Sequence, residues 1–234
     1  LGTITNIASQ TLIFADAVTA TTIANYGTLL FNATSAKTIS SNITDNGTTV
    51  LQVINSGNGV APGIITFSGN IVADTITIGT TANAGSALFN GTVTGGTSNI
   101  NIVGGDGEDE DSLANFADTV TVTAITLDDN TGTASVTFSG ASKTITGTIN
   151  GLATTEGTIT VSGTPTFASI IGGTQRPAQL TINGATTFQA AVSTAALTTT
   201  AAISNGTTLN VSGASSIGAN ITTTGTQTYT GAVT

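Results

Sequence analysis

Between Ile64 and Ile78 apolar residues alternate with threonine, stop at Ser68-Gly69-Asn70, and then resume the alternation. A period of two belongs to half-buried strands, so the stretch reads as strand, tight turn, strand. The glycine after the aromatic is expected to supply the free φ that a sharp corner needs. The rest of the chain repeats this unit with variations. Nine aromatics end such strands: Phe14, Phe31, Phe67, Phe89, Phe116, Phe138, Phe167, Phe188 and Tyr229. Each is followed within two residues by a small or turn-prone residue, among them Asp16, Gly69, Gly91, Gly140 and Gly231.

An aliphatic residue often returns four positions after the aromatic, and another nine positions after it. Both offsets hold at Phe14 (Val18, Ile23), Phe67 (Ile71, Ile76), Phe116 (Val120, Ile125) and Phe188 (Val192, Leu197). Strand faces alternate, so an odd offset of nine cannot lie on one face of one strand. A corner or bulge must intervene, and that is how a solenoid coil is built.

Most intervals between successive aromatics approximate one or two multiples of about 20 residues, with loops expected where the gap is longer. Between Phe31 and Phe67 one further, polar coil is expected, with Asn42, Asn46, Asn55 and Asn58 near glycine. The predicted fold is all-β, a parallel β-helix (β-solenoid) with coils of about 20 residues, each made of two or three short strands. Twelve such coils at about 4.8 Å each would rise roughly 58 Å. The alternative is an antiparallel β-sandwich, whose short strands recur at closer and regular intervals. Sandwiches usually carry hairpins and a Trp- or Tyr-centred core, whereas here the aromatics are sparse and evenly spread. No Pro-rich or charged linker divides residues 1–234, so they read as one domain. Phe14, Phe31, Phe67, Phe89, Phe138, Phe167, Phe188 and Tyr229 are expected to stack coil on coil as a core ladder. The corner asparagines, such as Asn42, Asn46, Asn55 and Asn58, suit left-handed turns, and corner asparagines could form amide ladders in the same way.

Composition supports this picture and narrows the chemistry. Threonine is the commonest residue at 53 positions, glycine contributes 29, and only 6% of the 234 residues are charged. β-Branched residues fit a pleated surface and glycine supplies corners. The chain has no Cys, His, Met or Trp, which removes disulfides, thiol chemistry, the commonest general base and the commonest transition-metal ligand. Serine or threonine nucleophiles would lack a histidine base. The only cations are Lys37, Lys143 and Arg176, and the net charge is −9, which argues against nucleic acid and anionic membrane surfaces. No apolar run approaches the roughly 20 residues of a membrane helix. The chain starts without Met or a signal peptide and reads as a mature or excised piece, with a neutral surface typical of extracellular proteins.

The closing phrase Thr224-Gly225-Thr226-Gln227-Thr228-Tyr229-Thr230-Gly231-Ala232-Val233-Thr234 resembles the strand phrases of large secreted bacterial adhesins. These are of the filamentous-haemagglutinin and autotransporter-passenger type. Val136-Thr137-Phe138-Ser139-Gly140 and Asn183-Gly184-Ala185-Thr186-Thr187-Phe188 share the texture, as do surface-layer and sheath filament proteins in composition. The resemblance covers nearly the whole chain in style and implies a right-handed parallel β-helix, surface display and a stalk or adhesive role. The family's secretion domain and β-barrel anchor have no counterpart in these residues, which leaves the export route open.

The sharpest local motif is Gly104-Gly105-Asp106-Gly107-Glu108-Asp109, which matches the first six positions of the calcium-binding nonapeptide of β-roll proteins. The match stops at position eight, where Asp111 replaces the aliphatic residue, and there is a single copy. Eight of the 12 acidic residues lie between Asp106 and Asp129. Asp106, Glu108, Asp109, Glu110 and Asp111 therefore read either as an oxygen cage for calcium or as a solvated acidic loop. Seven Asn-x-Ser/Thr sequons, at Asn32, Asn42, Asn46, Asn90, Asn205, Asn210 and Asn220, follow largely from composition.

A copy of the chain placed after Thr234 would put Ile4 nine positions past Tyr229 and Phe14 nineteen past it, so the two ends read as halves of one coil in a tandem array or stack. The functional expectation is a structural extracellular protein, not an enzyme, forming a filament, stalk or sheath by association with copies of itself. An adhesion module that binds glycans or cell-surface proteins through a lateral face is the alternative. A polysaccharide-active enzyme is third.

Overall fold

The computed structural model describes residues 2–54, 63–95, 98–107 and 110–234. Among them there is no helix, and every pairing between strands is parallel. The chain is a β-solenoid of about ten turns, some 22 residues apart. This excludes the antiparallel sandwich. The coil length is close to that expected, and the count is corrected from twelve to about ten, giving a rise of about 48 Å at 4.8 Å per layer.

Each coil visits three faces in a fixed order. On the first face Ile4, Ile23, Ile43, Ile71, Val93, Val120, Ile145, Phe167 and Phe188 fall in one register column. On the second, Leu12, Leu29, Leu51, Ile76, Ile100, Ile125 and Ile149 do so. On the third, Val18, Ile39, Phe67, Phe89, Phe116, Phe138, Val161 and Ile182 do so. All of these except Ile4 and Leu12 in the first coil are buried. A single coil cannot bury its own apolar side. The core exists only because layers stack, so stability is shared between neighbours.

The third face is a nine-stranded sheet running from Lys37–Ile39 to Ser215–Ile217. The first two faces merge into one 16-stranded sheet. They merge because Val120–Asp128 and Ala141–Gly151 run through the corner between them without a break. The register shift at Thr121/Ala124 absorbs the bend, while a second shift, at Ala141/Thr144, lies ahead of Ile145 on the first face. A separate three-stranded sheet, Val192–Thr194, Leu209–Val211 and Gln227–Tyr229, continues the second face beyond a gap.

The offsets of four and nine now have a geometric meaning. From Phe67 on the third face, Ile71 is the next column on the first and Ile76 the next on the second. From Phe188 on the first face, Val192 opens the second face and Leu197 lies on the third. The pattern steps round the corners from whichever face the aromatic occupies.

The corner glycine works differently from the expectation. Gly69 is not in the left-handed region; instead, a Cβ there would run into the carbonyl oxygen of Ser41 in the coil below. Gly91 meets the carbonyl of Gly69 in the same way, and Gly163 that of Gly140. Close layer-to-layer approach, not φ, selects glycine here. Beside this corner, Asn42 Oδ1 accepts from the Asn70 amide at 2.8 Å and Asn70 Oδ1 accepts from the Thr92 amide at 3.1 Å. A second amide pair is buried between the first and second faces, where Asn6 Nδ2 donates to Asn25 Oδ1 at 2.8 Å. Asn55 and Asn58 lie outside the described residues.

Candidate functional site

Seven consecutive ring contacts run through the core: Phe14, Phe31, Phe67, Phe89, Phe116, Phe138, Phe167 and Phe188, with centroids 4.9 to 5.8 Å apart. The rings are contiguous although their positions are not equivalent. Phe14 and Phe31 project from the second face, Phe67 to Phe138 from the third, and Phe167 and Phe188 from the first. The long intervals from Phe31 to Phe67 and from Phe138 to Phe167 are these two changes of face. Tyr229 occupies the register column of Phe14, through Val211 and Thr194, but it is only partly buried and its hydroxyl pairs with Gln227 Oε1 at 3.1 Å.

The described residues of the acidic segment lie at the corner between the second and third faces. Its backbone is closed by Gly105 N to Glu110 O at 2.8 Å and Glu110 N to Gly107 O at 3.1 Å. Asp111 is exposed and its Oδ1 accepts from the Thr133 amide at 2.8 Å and the Thr133 hydroxyl at 2.7 Å. Asp106 is exposed as well. Glu110 turns back over Gly105 and Gly107, and its Oε2 is buried without a hydrogen-bond partner. Glu108 and Asp109 lie outside the described residues. Among the described residues no three acidic side chains gather as a metal cage.

Next to this corner, Asp129 is satisfied by the backbone: its Oδ1 accepts from Ala134 N at 2.6 Å and its Oδ2 from Gly157 N at 2.8 Å. Burial pushes the neighbouring Asp128 carboxyl above its ordinary value, and the charges of Glu156 and Asp129 add to the rise.

Two of the three cations are spent on inter-coil ion pairs. Lys37 Nζ meets Asp16 at 3.0 Å and Lys143 Nζ meets Asp118 at 2.9 Å. The hydrogen bond from each lysine is the main cause holding its aspartate below the usual carboxylate range. Arg176 has no such partner among the described residues. It stands where the second face is interrupted. There the coil contributes only Ile171, bridging Ile149 below and Val192 above, before the chain leaves as the loop Gly172–Arg176.

That interruption opens a lateral groove of about 450 Å³ lined by Thr154, Ile170, Ser193, Asn210 and Arg176. Gly172 turns the loop outward with φ +68°, at a point where a Cβ would strike the Ser193 carbonyl. Thr174 N to Asn150 Oδ1 at 3.2 Å and Thr155 N to Arg176 O at 2.9 Å hold the loop against the coil below. The sequence reading missed this groove. Its one local signal is Gly172-Gly173 with Arg176-Pro177 where an apolar strand would otherwise stand.

No family model, curated protein or solved structure matches the chain. What the chain shares with β-helical proteins generally is the architecture: parallel strands stacked as a solenoid.

Proposed function

We propose that the chain is a structural extracellular protein, a β-solenoid that builds a filament, stalk or sheath on the cell surface, as the resemblance to β-helical surface adhesins implies. One observation carries this reading. Apart from the interruption at Ile171, successive turns present the same three faces and pair in parallel with their neighbours, so a further layer of the same polypeptide, or of another copy, can be added without changing the pairing rule. Unpaired strand edges at a solenoid end template further strands. This reading gives the chain no catalytic role, in keeping with a sequence that holds no His or Cys.

Calcium enters at the acidic corner, where the buried Oε2 of Glu110 has no partner of its own.

The test is electron microscopy and fibre diffraction of the purified protein, with calcium added or chelated. The expected result is a fibre with a reflection near 4.8 Å along its axis and a longer repeat of about 48 Å. Particles that stay discrete at every concentration would refute self-stacking. Fibres unchanged by chelation would remove calcium from the assembly.

A further inference from the structure

The groove at the interrupted second face combines three features found together nowhere else among the described residues. It holds Arg176, the one cation without a carboxylate partner among the described residues, in a chain with 12 acidic and three basic side chains. No acidic residue lines it, and the carboxylate closest in sequence, Glu156, is turned back on its own loop, where its Oε2 accepts from Ala153 N at 2.8 Å. Its remaining walls mix hydroxyls and an amide, from Thr154, Ser193 and Asn210, with the exposed apolar surface of Ile170, 42% accessible.

These walls match the chemistry of a sugar acid. A guanidinium presents a planar fork of donors that fits a carboxylate in two parallel hydrogen bonds. Hydroxyl and amide side chains exchange donors and acceptors with ring hydroxyls. An apolar side chain covers the C–H face of a pyranose, and a concave site with a few convergent polar groups is the usual form of a small-ligand pocket. The loop that carries Arg176 is held by backbone hydrogen bonds on both sides, from Thr155 N at 2.9 Å below and by Pro177 O to Ala195 N at 2.9 Å above. The cation is therefore presented on a fixed backbone, which lowers the ordering cost of binding.

We propose that this groove binds a carboxylate-bearing sugar unit of an acidic glycan, with Arg176 on the carboxylate, Ser193 and Asn210 on ring hydroxyls, and Ile170 against the ring. The site is lateral, so it operates whether or not the solenoid stacks end to end.

The experiment titrates the full chain with tri-galacturonate by calorimetry and by amide chemical-shift mapping. Its methyl ester, a neutral galactose trimer and a sulfated trisaccharide serve as comparisons. The expected result is saturable binding of tri-galacturonate, with shifts confined to the amides around Ile170, Arg176, Ser193 and Asn210. Arg176→Gln should weaken it by about tenfold or more, the size of a lost charge-assisted hydrogen bond. Arg176→Lys should recover part of that loss, because charge is kept and the fork is not. Arg176 holds the loop through its backbone carbonyl, which both variants keep, so both should melt with the parent protein. Equal binding of the methyl ester, unchanged affinity in Arg176→Gln, or shifts mapping elsewhere would overturn the assignment. Tighter binding of the sulfated sugar would overturn the choice of carboxylate. If a variant melts early, the shift map on the unaltered chain decides alone.

Discussion

Phe31 and Phe67 meet edge to face, with centroids 5.0 Å apart and ring planes at 89°, at the layer where the aromatic column leaves the second face for the third. The only other perpendicular contact in the column, Phe138 to Phe167 at 5.0 Å and 89°, marks its second change of face. Within a face the rings lie stacked at interplanar angles of 7° to 24°. Rings projecting from the same strand position inherit parallel planes. Rings projecting from different walls of the core can stay in contact only by turning edge to face, an arrangement aromatic quadrupoles also favour.

Phe89 is fully buried between two stacked neighbours. Phe89→Ala should lower unfolding free energy by about 3–5 kcal/mol, the usual cost of deleting a core Phe. Phe14→Ala should cost less, since Phe14 is only partly buried and has a ring on one side alone. Urea denaturation of the two variants checks the order.

Gly69→Ala tests why glycine stands at the corner. The added Cβ meets a backbone carbonyl that cannot move without disturbing the next layer, so the expected loss is about 1–3 kcal/mol, as for overpacking. Were φ the reason, Gly69→Asn would be tolerated better than alanine. The layer contact predicts that it is worse. Gly2→Ala, with nothing within 4 Å, is the neutral control. Thermal melts read all three.

Asn25 is fully buried; its Oδ1 accepts from Asn6 Nδ2 at 2.8 Å and from Gly27 N at 3.1 Å, and its Nδ2 donates to Gly27 O at 3.0 Å. Asn25→Ala leaves buried groups unpaired and should cost about 1–3 kcal/mol, seen as an earlier denaturation midpoint. Hydrogen exchange should quicken first at the Gly27 amide.

Two aspartates should respond to acid in opposite senses. Burial raises the folded pKa of Asp128 above its ordinary 3.8, so its charge is a cost at neutral pH that is relieved as pH falls through the folded value. Asp128→Asn should therefore raise the melting temperature at pH 7, by under about 1 kcal/mol in stability for so open a site, with the gap closing on acidification. Lys143 lowers the folded pKa of Asp118 below 3.8, so that pair stabilises at and above pH 3.8 and is lost below it. Asp118→Asn should lower the melting temperature at pH 7, and the loss should vanish in strong acid. Melts from pH 7 to 2 separate the two.

The repeat is legible in local text because its causes are local. Alternation at Ile64–Ile78 marks strands, and the offsets from Phe67 to Ile71 and Ile76 mark two corners, since both depend only on residues a few positions apart. From these the parallel solenoid follows. The number of coils does not, because the intervals from Phe31 to Phe67 and from Phe138 to Phe167 each mix a whole coil with a change of face. Face assignment depends on the accumulated length of every preceding coil, which no single window contains. The acidic corner is visible as a motif, yet whether Asp111 faces an ion or the Thr133 backbone is set by the layer above it. In the sequence Arg176 is one of three scattered cations. Its significance arises where one coil gives the second face a single residue, so that side chains as distant along the chain as Thr154 and Asn210 line one groove. Sequence alone determined the period, the all-β class and the poverty of chemistry, because strand alternation and composition are properties of the chain itself. Tertiary structure decided which glycine contacts are tight, which wall each phenylalanine leaves, and where the ladder opens, because those are relations between layers.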